Sequence, residues 1–491
     1  MKKNDEYTIE ITDMSTDGEG VGHVEADGMR LAVFVKDAVL GDVAKVKLTK
    51  LKKNYAFGRL MKVITPGPDR VEPLCPIAAK CGGCSMMQLS YEKQLELKSK
   101  RVTDVLKRIG GVDEPEKYFE GVTGMEQPYH FRNKMQFPVG LDRDGKVLIG
   151  FYAGRTHSIM DSDSCATGHP VNDYIIRHIR PWIEKNQRGT GSFVYDEEEH
   201  KGLIRHLLTR TGFTTGELMV CLVINGSKLA KAPEKAREIE AELVAELTNA
   251  VDEYNTSGNT CPNAKHEKVL LTSVQLNTNT EKTNRILGEE TRTVFGKDYI
   301  EDVLLGNTFR ISALSFYQVN PVQTERIYSK ALEYAGLTGS ETVWDMYCGA
   351  GTISLSLAKQ AGRVYGVEIV EQAIEDAKKN AEANFITNAE FYAGDAGEVV
   401  SRIYASGKPG SRADVVVVDP PRQGLSQQLI DTVAAMSPER IVYVSCDPAT
   451  LARDIKLFSE KGYEINKAAA FDAFCHSNHV ETVVAIQRVK S

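Results

Sequence analysis

The stretch Glu341-Thr-Val-Trp-Asp-Met-Tyr-Cys-Gly-Ala-Gly-Thr-Ile-Ser354 reads as a strand, a glycine turn and the start of a helix. Gly349 and Gly351 let the backbone come close to a ligand at the carboxyl edge of a sheet. Strand-like runs recur at 342–347, 363–368, 414–418 and 440–445, separated by helical stretches. Such alternation predicts a parallel sheet with helices on both faces, here over residues 311–491.

The ends of these strands carry the chemistry. Glu368 closes the second strand, where a carboxylate can accept both hydroxyls of a ribose. Asp395, in Ala-Gly-Asp-Ala after the third, is placed to face an adenine. A nicotinamide dinucleotide would fit this far, but Ser354 stands where that fingerprint has its third glycine. Asp419-Pro-Pro-Arg422 makes a rigid, donor-poor turn that presents Asp419 to a planar heterocycle. Val444-Ser-Cys-Asp-Pro448 sets Cys446 at another strand end, and a helix starting near Pro448 is expected to favour its thiolate. Glu481 opens a final apolar strand. A thiol and two carboxylates are thus expected around one cofactor edge. Cys348 is the rival nucleophile, but a small buried residue suffices within the glycine loop.

Four more cysteines form a second constellation. Cys75, Cys81 and Cys84 are spaced C-x5-C-G-G-C, with Cys165 further on, and Gly82 and Gly83 relieve the strain of the turn. Soft thiolates select zinc or an iron–sulfur cluster, and three clustered cysteines plus a remote fourth suit a cubane better than paired zinc knuckles.

Residues 1–64 read as a compact barrel of about five short strands punctuated by Asp17-Gly18, Asp27-Gly28 and Gly41-Asp42. From Lys45 to Lys62 there are seven basic residues and no acidic one. Lys52, Lys53 and the aromatic Tyr55 and Phe57 sit within that run, a combination suited to phosphates and stacked bases. Residues 65–310 form a β-rich central segment with a helix around 88–109, a turn at 142–145, strands at 220–224 and 273–276, and an acidic helix over 231–250. The polar stretch 251–267 reads as an exposed loop, with Cys261 a solvent-facing bystander.

A chain of 491 residues with 42% hydrophobic and 26% charged residues is globular and multidomain. No apolar run is long enough for a membrane span, and the N-terminus lacks the apolar core of a signal peptide. A cytoplasmic location without a membrane partner is therefore expected, and a monomer with no DNA partner is expected as well. The net charge of −7 argues against a uniformly basic nucleic-acid binder, yet the basic arm at 45–62 makes the charge local.

With these motifs together, and with Phe131-Arg-Asn-Lys134, Ser315-Phe-Tyr-Gln-Val-Asn320 and His479-Val-Glu481, the chain resembles the S-adenosylmethionine-dependent RNA 5-methyluridine methyltransferases. It is most similar to the bacterial 23S ribosomal RNA (uracil-5-)-methyltransferases with an N-terminal TRAM domain. The resemblance implies an OB-like TRAM barrel, a central domain with a [4Fe-4S] cluster on Cys75, Cys81, Cys84 and Cys165, and a Rossmann-like methyltransferase domain. It further implies that Gln318, Tyr347, Thr352, Glu368, Asp395 and Asp419 line the methyl-donor site, with Cys446 the nucleophile and Glu481 the base. Arg132 falls in the Arg-Asn-Lys segment that faces RNA in the family. A tRNA T-loop uridine methyltransferase is the alternative, although bacterial tRNA relatives generally lack the TRAM domain and cluster cysteines. A non-catalytic RNA-binding iron–sulfur protein would be expected to lack Cys446 or Glu481, and both are present.

Overall fold

Alternation builds the first layer of the molecule. Alternating inward side chains run through much of β1 (Glu6–Met14), β2 (Gly20–Ala26), β3 (Met29–Lys36) and β4 (Val43–Leu51), with Val33, Val35, Val46 and Leu48 fully buried, while β5 (Tyr55–Thr65) buries only Ala56 and pairs with β4 through bulges. β1 pairs with both β2 and β4, so the strands close into a barrel in the order β1-β2-β3-β5-β4. A Cβ on Gly58 would lie 2.2 Å from Val46 Cγ1, so the lumen admits only glycine there. The computed structural model describes residues 1–26, 28–407 and 411–489; Asp27 of the Asp27-Gly28 turn lies outside them.

The central segment contributes α1 (Tyr91–Arg108), β6 (Phe119–Thr123), β7 (Lys134–Leu141), β8 (Val147–Tyr152), β9 (Ile159–Asp161), α2 (Val171–Thr190), β10 (Ile204–Thr211), β11 (Glu217–Ile224), α3 (Pro233–Thr256), β12 (Leu270–Thr278) and β13 (Glu290–Gly296). Seven of these strands form one sheet in the order β13-β12-β11-β10-β7-β8-β9. α2 and α3 share a core with one face of the sheet, while Leu208, Met219 and Cys221 on the other face join the core of the C-terminal domain. β10 is therefore buried along its whole length, although it contains two arginines and a histidine. Carbonyls partner the ends of the arginines, Arg210 donating to Ser315 O (2.5 Å) and Arg205 to Asn279 O (2.7 Å), while the Nε of each stays unpartnered.

The C-terminal layer comprises the hairpin β14 (Ile300–Leu304) and β15 (Asn307–Ile311), then α4 (Pro321–Ala335), β16 (Thr342–Met346), α5 (Thr352–Ala358), β17 (Arg363–Glu368), α6 (Glu371–Ala383), β18 (Ala389–Ala393), α7 (Ala396–Ala405), β19 (Val415–Val418), α8 (Gln427–Met436), β20 (Arg440–Ser445), α9 (Pro448–Ser459), β21 (Tyr463–Phe471) and β22 (Glu481–Arg488). Its sheet runs β18-β17-β16-β19-β20-β22-β21-β6. The first five strands are parallel and β22 is antiparallel to both its neighbours. All four valines of β19 are fully buried, as expected for a strand covered on both faces.

Two expectations need correction. The boundary at 310 is too simple: β6 pairs with β21, while Val102, Leu106 and Val112 join the C-terminal core. The β14–β15 hairpin also docks on α6, with Thr308 and Arg310 N–H donating to Asn384 and Asn380. The stretch 251–267 is not a free loop either. α3 continues to Thr256, Cys261 is 6% exposed with its thiol 3.3 Å from His130 O, and Asn263 donates to Tyr129 O at 2.6 Å. Asn255 and Asn263 serve as backbone partners, which composition cannot distinguish from solvent contact.

Candidate active site

The antiparallel strand brings the sequence-distant groups together. Ser445 on β20 pairs with Thr482 on β22, so Cys446, just beyond β20, and Glu481, at the start of β22, flank the end of that ladder. Asp419 follows β19, whose last residue, Val418, pairs with Tyr443 of β20. Glu481 is 6% exposed; burial, then the Asp419 charge, pushes its carboxyl up to about 8, against the pull of Arg422. Burial, then the Asp345 charge, raises Asp419 to about 7. The half-buried Cys446 thiol is pushed up to about 11, by burial first and then by Glu481 and Asp419, with Arg422 opposing.

That direction corrects the expectation of a helix-favoured thiolate. α9 does start at Pro448, but the Asp447 carboxylate caps it, accepting from Ala449 N at 2.8 Å and Thr450 N at 3.1 Å. Desolvation and two carboxyls outweigh what remains of the helix field. Arg422, its Nη2 3.5 Å from His479 Nε2, is the cation that lowers both Cys446 and Glu481.

The glycine loop is stapled to the neighbouring strand. Tyr347 takes a left-handed φ of 74°, and the N–H groups of Tyr347 and Cys348 both donate to Val367 O, at 2.8 and 2.9 Å. Glu368 accepts from Gly349 N (3.2 Å) and Val370 N (3.0 Å), which holds its carboxylate at the loop. Asp395 caps α7 by accepting from Glu398 N. Ser354, the residue that disfavoured a dinucleotide, donates at 2.5 Å to the fully buried Asp345. Thr352 sits 3.3 Å from the Tyr328 hydroxyl, which also bonds the Gln318 side chain. Asn133 in turn donates to Gln318 O at 3.0 Å. Cys348 is buried with its sulfur facing Gly366, where a Cβ would stand 2.9 Å away, and burial drives its thiol well above the ordinary range.

The reading of the sequence gave no role to Tyr328, Asp345, Asn133 or Arg422. The last three stood inside quoted motifs without a part of their own, and a lone tyrosine on a helix carries no pattern.

Cys75, Cys81, Cys84 and Cys165 line one cavity of about 100 Å³, together with Arg132 and Cys475. Burial pushes the Cys84 thiol up to about 12, the other three cysteines add to it, and Arg132 opposes them. Among the described residues no group of three or more His, Cys, Asp or Glu is arranged to hold a single metal ion. Gly82 does not need a left-handed backbone; a Cβ there would stand 3.2 Å from Gly154 Cα, so close approach is its constraint.

On the barrel, Lys52 and Lys53 are exposed in the turn between β4 and β5. Tyr55 meets Phe34 and Phe57 edge to face, at 5.7 and 5.6 Å between centroids. No helix among the described residues is long and apolar enough to cross a membrane.

Residues 271–489 match the tRNA (uracil-5-)-methyltransferase family, and residues 2–61 match the TRAM domain. An RNA methyltransferase of Clostridium tetani is 45% identical over 484 residues, 99% of this chain and 96% of its own length. The chain belongs to the RNA (uracil-5-)-methyltransferase family. A second family member, an RNA methyltransferase of Halalkalibacterium halodurans, is 43% identical over 99% of this chain and 98% of its own. The crystal structure of Pyrococcus abyssi tRNA (uracil-54, C5)-methyltransferase in complex with S-adenosyl-L-homocysteine superposes with a TM-score of 0.71 at 27% identity, covering 98% of this chain and 100% of that one. As a methyltransferase with a TRAM domain, the protein acts on RNA.

Proposed function

We propose that this methyltransferase transfers the methyl group of S-adenosylmethionine to carbon 5 of a uridine in 23S ribosomal RNA through a covalent cysteine adduct. The register that sets Cys446 beside Glu481 carries the reading. Carbon 5 of uracil is a weak nucleophile, so the Cys446 thiolate adds to carbon 6 and the ring electrons become an enolate. Carbon 5 then attacks the sulfonium methyl, releasing S-adenosylhomocysteine. Glu481 takes the carbon 5 proton, the double bond re-forms and the thiolate leaves. The raised Glu481 suits a base near neutrality, and Arg422 opposes the charge that builds at the thiol and the enolate.

Glu368 would accept the ribose hydroxyls, Asp395 would face the adenine, and Tyr347, Thr352, Gln318 and Asp419 would complete the donor site. Lys52, Lys53 and Tyr55 would grip RNA from the barrel, and Arg132 would meet it at the rim of the thiol cavity. Four thiols lining one cavity suit a soft-metal group, and three clustered cysteines with a remote fourth favour a cubane over paired zinc knuckles. Cys75, Cys81, Cys84 and Cys165 would hold a [4Fe-4S] cluster whose closed coordination makes it structural. A tRNA T-loop uridine is the second reading, favoured by the Pyrococcus likeness.

The test incubates the protein with S-adenosylmethionine and 5-fluorouridine transcripts of 23S rRNA fragments and tRNA. Fluorine cannot leave as a proton, so an adduct should accumulate on the true substrate and vanish in Cys446→Ala. An adduct that survives that substitution overturns the mechanism, and an adduct on tRNA alone overturns the 23S assignment.

A further inference from the structure

Glu481 is the first residue of β22, and nine residues, 472–480, connect it to β21. What holds this connection sets where the carboxyl points. Its anchors come from three separate parts of the chain. Asn478 donates to Thr16 O in the barrel at 2.7 Å, and Arg101 on α1 donates to Asn478 O at 2.8 Å. Lys98, buried on α1, pairs with the buried Asp472 at 2.5 Å.

The third anchor is the thiol cavity. The N–H groups of Ser85 and Met86, the two residues after Cys84, both donate to the His476 carbonyl at 2.9 Å. His476 is held in a left-handed conformation, φ 63°, that a non-glycine residue keeps only when its surroundings impose it. Gln94, fully buried on α1, supplies that constraint. Its Oε1 accepts from His476 N at 3.1 Å, and its Nε2 donates to Met86 O at 3.0 Å and Leu89 O at 2.8 Å. One amide therefore splices the segment after Cys84 to the connection that ends in Glu481. Cys475, next to His476, lines the same cavity as the four cysteines.

We propose that Gln94 is a positioning residue, a strut through which the filled cysteine cavity fixes the His476 carbonyl and so sets Glu481 for proton removal. The inference rests on the reaction proposed above, and it separates two steps of that reaction. Thiolate addition and methyl transfer depend on Cys446 and the donor site, whereas release of the methylated base depends on Glu481. Weakening the strut slows release alone.

The test uses the full chain, Gln94→Ala and the near-isosteric Gln94→Met, each with its iron and sulfide content measured. Ordinary uridine transcripts of 23S rRNA and tRNA are supplied with S-adenosylmethionine, and the denaturant-stable protein–RNA adduct is quantified. Both variants should turn over at least about tenfold more slowly and accumulate at least about fivefold more methylated adduct, with trapping on 5-fluorouridine transcripts at the wild-type rate. Wild-type protein stripped of iron by a chelator should show the same accumulation. The strut is overturned if Gln94→Met turns over like wild type, or if turnover and 5-fluorouridine trapping fall in parallel, or if the stripped protein releases product normally. A wild-type protein that never traps 5-fluorouridine RNA overturns the underlying reaction, a result distinct from any of these.

Discussion

Cys446, the first residue beyond β20, and Glu481, the first residue of β22, flank the last ladder pair of those strands, Ser445 with Thr482. The two side chains come near enough for the Glu481 charge to raise the Cys446 thiol. In the reaction proposed above, a thiol and a carboxyl so placed address carbon 6 and carbon 5 of one uracil.

Their roles separate by substitution. Cys446→Ala should abolish both methylation and adduct formation. Glu481→Gln should still form the adduct but release it about 10²–10⁴-fold more slowly. Single-turnover methyl transfer, followed beside product release, checks the split.

The pH dependence follows from the raised groups. As the proposed base, Glu481 would act only when ionised, and its carboxyl is pushed up to about 8, so base-limited release should rise with pH and level off above that value. The same shift affects stability. A carboxyl raised from 4.5 to about 8 by folding contributes stability that is fully present below pH 4.5 and lost as pH rises through 8. Glu481→Gln should therefore melt near wild type at pH 5 and above it at pH 9, as calorimetry at the two pH values would show.

Removing the hydroxyl beneath the cofactor loop should be costly. Ser354→Ala leaves the buried Asp345, which is raised to about 7 and whose second oxygen already lacks a partner, without its 2.5 Å donor. A loss of about 1–3 kcal/mol is expected in denaturant unfolding, with weaker binding of S-adenosylhomocysteine by titration calorimetry.

The Lys98–Asp472 pair is 2% and 0% exposed, so breaking it strands a charge. Lys98→Met should cost about 3–5 kcal/mol, and Lys98→Met combined with Asp472→Leu should recover most of it. Chemical unfolding of the single and double variants decides the point.

The barrel lysines predict a salt effect. Lys52→Ala and Lys53→Ala should each weaken RNA binding and lower the slope of log K against log salt by about 1, leaving single-turnover methylation at saturating RNA unchanged. Filter binding at several salt concentrations measures this.

Much of the C-terminal domain is legible in the chain because a parallel strand covered on both faces must be an apolar run, and 415–418 is four valines. The glycine loop is legible for a related reason: the left-handed φ at Gly349 and Gly351 restricts which residues can stand there. β10 shows the converse. Its buried Arg205, His206 and Arg210 follow no alternation, since the carbonyls that accept from the arginines come from 279 and 315, remote in sequence.

The net charge of −7 belongs to the same distinction. α3 carries acids such as Glu240 and Glu242, and it lies on the sheet face away from the C-terminal domain, where they pair with Arg292 and Lys185.

The chemical types at the site were therefore set by the sequence alone: a thiol, acids at strand ends, a glycine loop and four spaced cysteines. Local geometry limits which residues tolerate a tight turn or a strand end, and that limit is written residue by residue. Which of these groups meet was decided by tertiary structure. An antiparallel strand inserted beside β20 brings Glu481 to Cys446, and the folded connection before it meets the barrel, α1 and the thiol cavity at once. Burial there raises Glu481, Asp419 and Cys446 together. Such shifts depend on desolvation and on charges brought together by folding, and neither has a signature in a linear chain.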